Sequence, residues 1–206
     1  MNKTIRVPHS ILMLALALPG AALAGEEIAA RQAAAAAATQ QLLQQLGGEL
    51  KREMGANGPA AAIRVCRDVA PQIAGELSRN NGWRVTRVSE RVRNPLLGMP
   101  DAWERKVLRD FEARAAKGES YADMHHGEVV TEAGVEFYRF MKPIGTAPVC
   151  LTCHGATEQI PEPVRMKLAE SYPFDRAVGY QAGDLRGAVS ILQPLDIPLV
   201  DGGKRQ

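Results

Sequence analysis

The run Cys150-Leu151-Thr152-Cys153-His154 constrains this chain more than any other stretch. Two thiols three positions apart, followed at once by an imidazole, form the pattern of a c-type haem attachment site. Both sulfurs can reach the edge of one rigid ring and add to its two vinyl groups. The next imidazole then falls within reach of the iron. The chain has only 3 Cys and 4 His in 206 residues, so a shuffled sequence would give this pattern with a probability on the order of one in a thousand. A zinc site needs four ligands, and there is no second Cys-x-x-Cys pair and no His-x-x-x-His pair. A thioredoxin-like thiol pair belongs beside a βαβ pattern, which the sequence lacks. The motif therefore predicts one covalent haem c on Cys150 and Cys153, with His154 as a ligand to its iron.

Residues 1–24 read as a secretion signal, in keeping with the exported side on which such haems are attached. Lys3 and Arg6 form a positive n-region, Ile11 to Leu18 a short apolar core, and Ala22-Leu23-Ala24 a small-x-small cleavage site. The apolar run is too short to span a bilayer unaided. The expectation is cleavage after Ala24 and a periplasmic protein without an integral span, in which residues 25–206 form a single domain. The signal carries two of the 25 Lys and Arg and none of the 23 Asp and Glu, which leaves 23 of each. That balance argues against a nucleic-acid or anionic-membrane partner. Aromatic residues make up 5%, few for a core of this size, and a buried haem would add apolar bulk. With two cysteines assigned to haem, Cys66 is left over. A lone Cys on an apolar helix face is usually a small buried hydrophobe.

Gly25 to about Met54 reads as one long helix, with Leu43, Leu46, Leu50 and Met54 as its apolar stripe. Its Ala-rich half, Arg31 to Gln40, is expected to project or fray, and Gly47-Gly48 to allow a kink. Asn57-Gly58-Pro59 breaks the chain. A second helix from Pro59 to Leu77 places Ile63, Cys66 and Ile73 on one face, and Pro71 should distort it beside Cys66. Trp83 to Val88 alternates like a strand. Asp101-Ala102-Trp103-Glu104 is a capping box opening a helix to about Lys117, ended by Gly118. Tyr121–Thr131 and Val135–Ile144 read as a strand pair, Pro161–Glu170 as a short helix, Arg186–Leu192 as a last strand and 200–206 as a loose tail. This order predicts an α+β fold.

Several segments, taken in order, resemble the exported c-type haem domains of PAS-like fold, known as free-standing proteins and as sensor parts of receptors. They are Val65-Cys66-Arg67, Ala70-Pro71-Gln72-Ile73-Ala74, Gly82-Trp83-Arg84-Val85-Thr86-Arg87-Val88-Ser89, Arg93-Asn94-Pro95 and Pro100-Asp101-Ala102-Trp103-Glu104. Then follow Pro143-Ile144, the haem motif with Gly155, Tyr172-Pro173, Asp175, Ala177-Val178-Gly179-Tyr180 and Gly183-Asp184-Leu185-Arg186-Gly187-Ala188-Val189-Ser190. The family usually has a second Asn soon after its Arg-Asn-Pro, where this chain has Leu96-Leu97-Gly98. The resemblance implies a central antiparallel sheet flanked by helices, to which the pattern over Gly25–Met54 adds a long N-terminal helix. It also implies a second axial iron ligand from the cysteine that matches Cys66, opposite His154. Read from residues alone, Met54, Met99, Met124, Met141, His125 and His126 remain rivals for that place. The methionines more often fill core gaps, and His125-His126 lies in a polar stretch.

A thiolate ligand favours ferric iron and a low potential. If it leaves on reduction, a diatomic gas can enter. The functional expectation is a non-enzymatic redox or gas sensor module that works through a separate redox or signalling partner. The alternative is a small soluble electron-transfer cytochrome. No Arg/His constellation marks a peroxidase-like acid/base site. Arg84, Arg87 and Arg186 are candidates for haem propionates, with solvated arginines on strand edges as the more ordinary reading.

Overall fold

The computed structural model describes residues 19–201 and 204–205, with side chains over 25–200. The signal segment expected over 1–24 lies outside them apart from the backbone of 19–24. Helix α1 (Pro19–Arg64) reverses at Gly58, whose φ of 81° and ψ of 172° are not helical. Glu53 and Arg64, eleven residues apart, pair across the reversal at 2.8 Å. A single π-helical turn (Val65–Val69) leads into α2 (Ala70–Asn81). Strand β1 (Arg84–Val88) is followed by a one-turn helix α3 (Pro95–Gly98) and by α4 (Ala102–Ala115). Strands β2 (His126–Glu132) and β3 (Val135–Gly145) precede two more helices, α5 (Leu151–His154) and α6 (Glu162–Ser171), and strand β4 (Leu185–Pro194). A short ladder, β5 (Val200–Asp201) with β6 (Lys204–Arg205), stands where a loose tail was expected.

The sheet is antiparallel, in the order β1-β4-β3-β2. Helices flank it, and the arrangement is α+β as expected, consistent with a PAS-like fold. Ala133 (φ 51°) and Gly134 (φ 82°) both take left-handed conformations, the requirement of a two-residue hairpin turn, and Glu132 pairs with Val135 across it. The β2 strand begins at His126, five residues later than Tyr121. Tyr121 to Asp123 forms a turn, and Lys142 donates to the carbonyls of Ala122 and Met124 there.

One sheet face, with Val85, Tyr138, Phe140, Val189 and Ile191, packs under α1 and α2. The other, with Val88, Met141 and Ala188, packs against Val107, Leu108 and Phe111 of α4. The Ala-rich half of α1 does not project. Arg31, Ala35, Ala38, Leu42 and Leu46 form its buried stripe. Arg31, 2% exposed, donates to the carbonyls of Pro194, Leu195 and Ile197 where β4 ends. Alanines let the helix approach the sheet closely, and Arg31 satisfies carbonyls that would otherwise be orphaned. Gly47-Gly48 stays helical, because Leu42 and Leu46 anchor the rod on the sheet against a propensity cost of about 1 kcal/mol per glycine.

The capping box is formed in both directions: Asp101 accepts from the Glu104 amide at 2.8 Å, and Glu104 accepts from the Asp101 amide at 2.8 Å. Its two carboxylates also hold Arg139, 2% exposed, which pairs with Asp101 at 2.6 Å and Glu104 at 3.4 Å and lies 4.3 Å from the Trp103 ring centroid. Among the described residues no helix is long and apolar enough to cross a membrane.

Candidate haem site

Pro71 explains the turn that carries Cys66. It has no N–H for the Arg67 carbonyl, and in a regular α-helix its ring would press on that carbonyl. The helix widens instead. The Ala70 amide bonds to the Val65 carbonyl, five residues back, and residues 65–69 form one π turn. Such turns recur at functional sites. Val65 faces the core under α1, while Cys66 is half-buried.

The Cys-x-x-Cys-His motif begins on a 3-10 turn (Pro148–Cys150), whose Cys150 caps α5, and continues along α5 to His154. Cys153 sits among Ala60, Ile63, Val164, Leu168, Tyr172 and Val178, so α1 after its reversal and α6 form an apolar wall beside it. All three cysteines are half-buried free thiols. Burial pushes the Cys153 thiol up; Arg93 opposes this, and the nearby Cys66 and Cys150 add to it. Burial and the proximity of Cys66 raise Tyr172 to about 12. The fold thus draws Cys66, Cys153 and Tyr172 within electrostatic reach of one another, although Cys66 and Cys153 are far apart in sequence.

A loop after α6 holds His154. Gly155 accepts from the Gly179 amide at 2.8 Å and His154 from the Tyr180 amide at 2.9 Å, both through their carbonyls. The imidazole Nδ1 donates to the Ala177 carbonyl at 2.7 Å. That bond fixes the tautomer, the usual preparation of a metal-ligating histidine, and the Nε2 lone pair accepts a long bond from Arg186 Nε at 3.4 Å. Burial, reinforced by Arg186 and Arg93, pushes the His154 pKa down to about 2, against the pull of the Ala177 bond. The ring is therefore neutral, as a ligand must be.

Arg186 was expected on a strand edge in water. It is instead half-buried in the irregular step between the Ile144–Gly187 and Gly145–Leu185 pairs, with Nε 3.4 Å from His154 Nε2. Burial lowers its pKa, the Tyr180 ring opposes this, and the charges of Arg93 and Arg87 add to the lowering. Arg87, on β1, makes no hydrogen bond or ion pair among the described residues. Arg84 lies elsewhere, exposed, 3.9 Å from Asp101 and 3.8 Å from Glu104.

Sequence reasoning assigned no role to Arg93 or Tyr180, although both fall within the segments that carried the family likeness. Arg93 is buried, pairs with Asp175 at 3.0 Å and donates to the carbonyls of Cys153 at 2.5 Å and Ala177 at 3.2 Å. Tyr180 meets the His154 ring edge-on, with centroids 6.0 Å apart, and carries the Arg91 guanidinium 3.6 Å from its own centroid.

Most of the rivals to Cys66 have other surroundings. Met124 and Met141 are buried under α4 on the opposite sheet face, and Met99 is 48% exposed. His126 pairs with Glu128, while His125 stacks on Phe140 on the α1 side. Met54 is half-buried on α1, four residues before the Gly58 reversal.

Among the described residues no three His, Cys, Asp or Glu are close enough to hold a bare metal ion. The donor set fits a metal that brings its own macrocycle. Two thiols and a pre-oriented imidazole lie within five residues that span a 3-10 turn and the short helix α5. A third thiol stands within reach, an apolar wall lies on one side, and unneutralised guanidiniums stand ready for acidic ring substituents.

This motif, bonded to the loop after α6 on an α+β fold, marks a class of haem proteins. The Tll0287-like family model, Tll0287, matches residues 20–194, and the chain belongs to that family. It is similar to the crystal structure of the cyanobacterial haem protein Tll0287, at 25% identity and a TM-score of 0.57, over 87% of this chain and 98% of that one. No curated protein matches it.

Proposed function

We propose that this chain is an exported monohaem c-type cytochrome that works as a redox or gas sensor module. Cys150 and Cys153 would form the thioether links, and His154 and Cys66 would hold the iron. The haem supplies a one-electron couple and an iron that can exchange a ligand. The approach of Cys66, on the π turn, to Cys153, which neighbours His154 on α5, supports this reading. Family membership and the relative's description as a haem protein support the cofactor.

Each protein group has a part in that chemistry. The Ala177 carbonyl holds the His154 ring by its Nδ1 proton, so Nε2 is the lone pair that would meet the iron once the long Arg186 bond is given up. Cys66 would hold the iron as a thiolate, a donor that favours the oxidised state. Arg87 and Arg186 offer charge-assisted bonds to carboxylates. The aliphatic wall of Ile63, Val164 and Leu168 excludes water.

A carrier role has its own support. Leu96 (94% exposed) and Phe174 (74% exposed) flank a hollow beside Asp175, the partner of Arg93, and a redox protein could cover them. Protein matured with a working cytochrome-assembly system tests the reading. Acid–organic extraction should leave the haem on the chain, and the reduced protein should change its absorption spectrum with CO. Colourless protein at apo mass removes the cofactor assignment. A reduced spectrum indifferent to CO, with reversible voltammetry, moves the function to electron carrier.

A further inference from the structure

On the far side of α1 from α2, a cleft of about 520 Å3 opens between α1 and β3. It shares no residue with the haem site. Its volume lies within the ordinary range for small-molecule sites. Phe140 and Leu43 form its apolar walls, and Gln40 and Gln44 line it from α1. Thr39 also lines it. Thr39 is 3% exposed, and its Oγ1 has no hydrogen-bond partner among the described residues. A buried hydroxyl that bonds neither its own helix nor the sheet is an unmet donor and acceptor.

The charge of the lining has one sign. Lys142 enters from β3, and its ammonium donates to the carbonyls of Ala122 and Met124, which leaves its third N–H uncommitted. His125 stands at the mouth, stacked on Phe140 with ring centroids 5.8 Å apart and an interplanar angle of 23°. The cleft has no Asp or Glu in its lining, and the carboxylate that acts on Lys142, Asp123, lies outside it in the turn before β2. A compact inorganic anion would meet the cation but leave the Phe140 and Leu43 surface uncovered. A neutral apolar molecule would leave Lys142 and Thr39 unanswered.

We propose that the cleft between α1 and β3 is a second ligand site that binds a small organic acid. Its carboxylate bonds Lys142 beside His125, its apolar body lies between Leu43 and Phe140, and a further polar group reaches Thr39. The site is independent of the haem reading, since none of its residues belongs to the haem pocket.

Isothermal titration of the haem-loaded protein with benzoate, 4-phenylbutyrate and octanoate, each beside its primary amide, tests this. At least one acid should bind saturably at one per chain, and its amide at least about tenfold more weakly, the expected scale of one charge-assisted bond. Lys142→Met should weaken the acid by about tenfold or more. Ala36→Trp, at an exposed position of α1 within the lining, should fill the cleft and abolish binding while the haem spectrum is unchanged. If the lysine variant does not fold, the tryptophan variant and the acid–amide comparison decide alone. Equal binding of acids and amides, no saturable binding by any probe, or binding that survives Ala36→Trp overturns the proposal.

Discussion

Arg93 donates to the backbone carbonyl of Cys153 across 2.5 Å, so an arginine from the turn after β1 holds the second cysteine of the haem motif from outside. The same guanidinium pairs with Asp175 and bonds Ala177, the residue whose carbonyl orients His154. One side chain therefore ties the motif helix to the loop that aims its histidine.

Arg93→Met should cost about 3–5 kcal/mol, because it leaves a nearly buried Asp175 without its counter-charge. Amide exchange separates this tie from general destabilisation. The amides of Gly179 and Tyr180, which bond Gly155 and His154, should exchange at least about tenfold faster, while β3 and β4 keep protection reduced only by the global loss. Uniform loss of protection across the sheet would show that Arg93 stabilises the whole fold and not this loop.

Cys66→Ala in holo-protein should keep the haem attached and remove the sixth ligand. The low-spin ferric spectrum should give way to a high-spin one, and the reduction potential should rise, since an anionic sulfur no longer favours ferric iron. His125→Ala and Met141→Ala, whose side chains lie away from the motif, should leave the ferric spectrum as it was. An unaltered low-spin spectrum in Cys66→Ala means that another residue is the ligand.

Asp101 gives a defined acid sensitivity. Burial raises its carboxyl, but the Glu104 amide and the Arg139 guanidinium outweigh this and hold its pKa below the usual value. A depressed folded pKa adds stability above the unfolded value of about 4, and that stability is lost as pH falls through the folded pKa. Asp101→Asn keeps a good cap residue, so it should cost about 1 kcal/mol or less at pH 7, in line with a side chain this exposed. Urea unfolding should then show a shallower loss of stability below about pH 4 than in the parent.

Gly187→Ala should be among the most damaging single methyl additions. At φ 149° a Cβ would stand 2.2 Å from the Val88 carbonyl oxygen, and backbone cannot yield as a flexible side chain can. Loss of about 2–4 kcal/mol is expected, combining strain and overpacking. Because Gly187 follows Arg186, the visible spectrum of the holo-protein should shift as well. Parent-like thermal stability in this variant would contradict the close approach of β1 and β4.

Much of the architecture was legible because its causes are local. Asp101 and Glu104 are three residues apart and cap one helix. Gly58 and Pro71 broke and widened their helices through properties of a single backbone. The motif cysteines and His154 declared themselves by spacing. What escaped reading depended on partners distant in the chain or on carbonyls, which carry no side-chain signature. Arg31 looked like part of a fraying Ala-rich stretch until β4 supplied three carbonyls. Arg139 read as one position in an alternating strand, yet its partners come from the capping box. The Ala177 carbonyl, which prepares His154, is a peptide group available at any residue.

The wide turn at Val65–Val69 holds one surplus residue within a single loop of helix. Unwinding that surplus into an ordinary α turn would rotate everything on one side of it by about 100° relative to the other. The bearing of the Cys66 sulfur is thus set like a compass needle by five residues and one imino acid. Pro71→Ala, far subtler than deleting the thiol, is the change that could point it elsewhere.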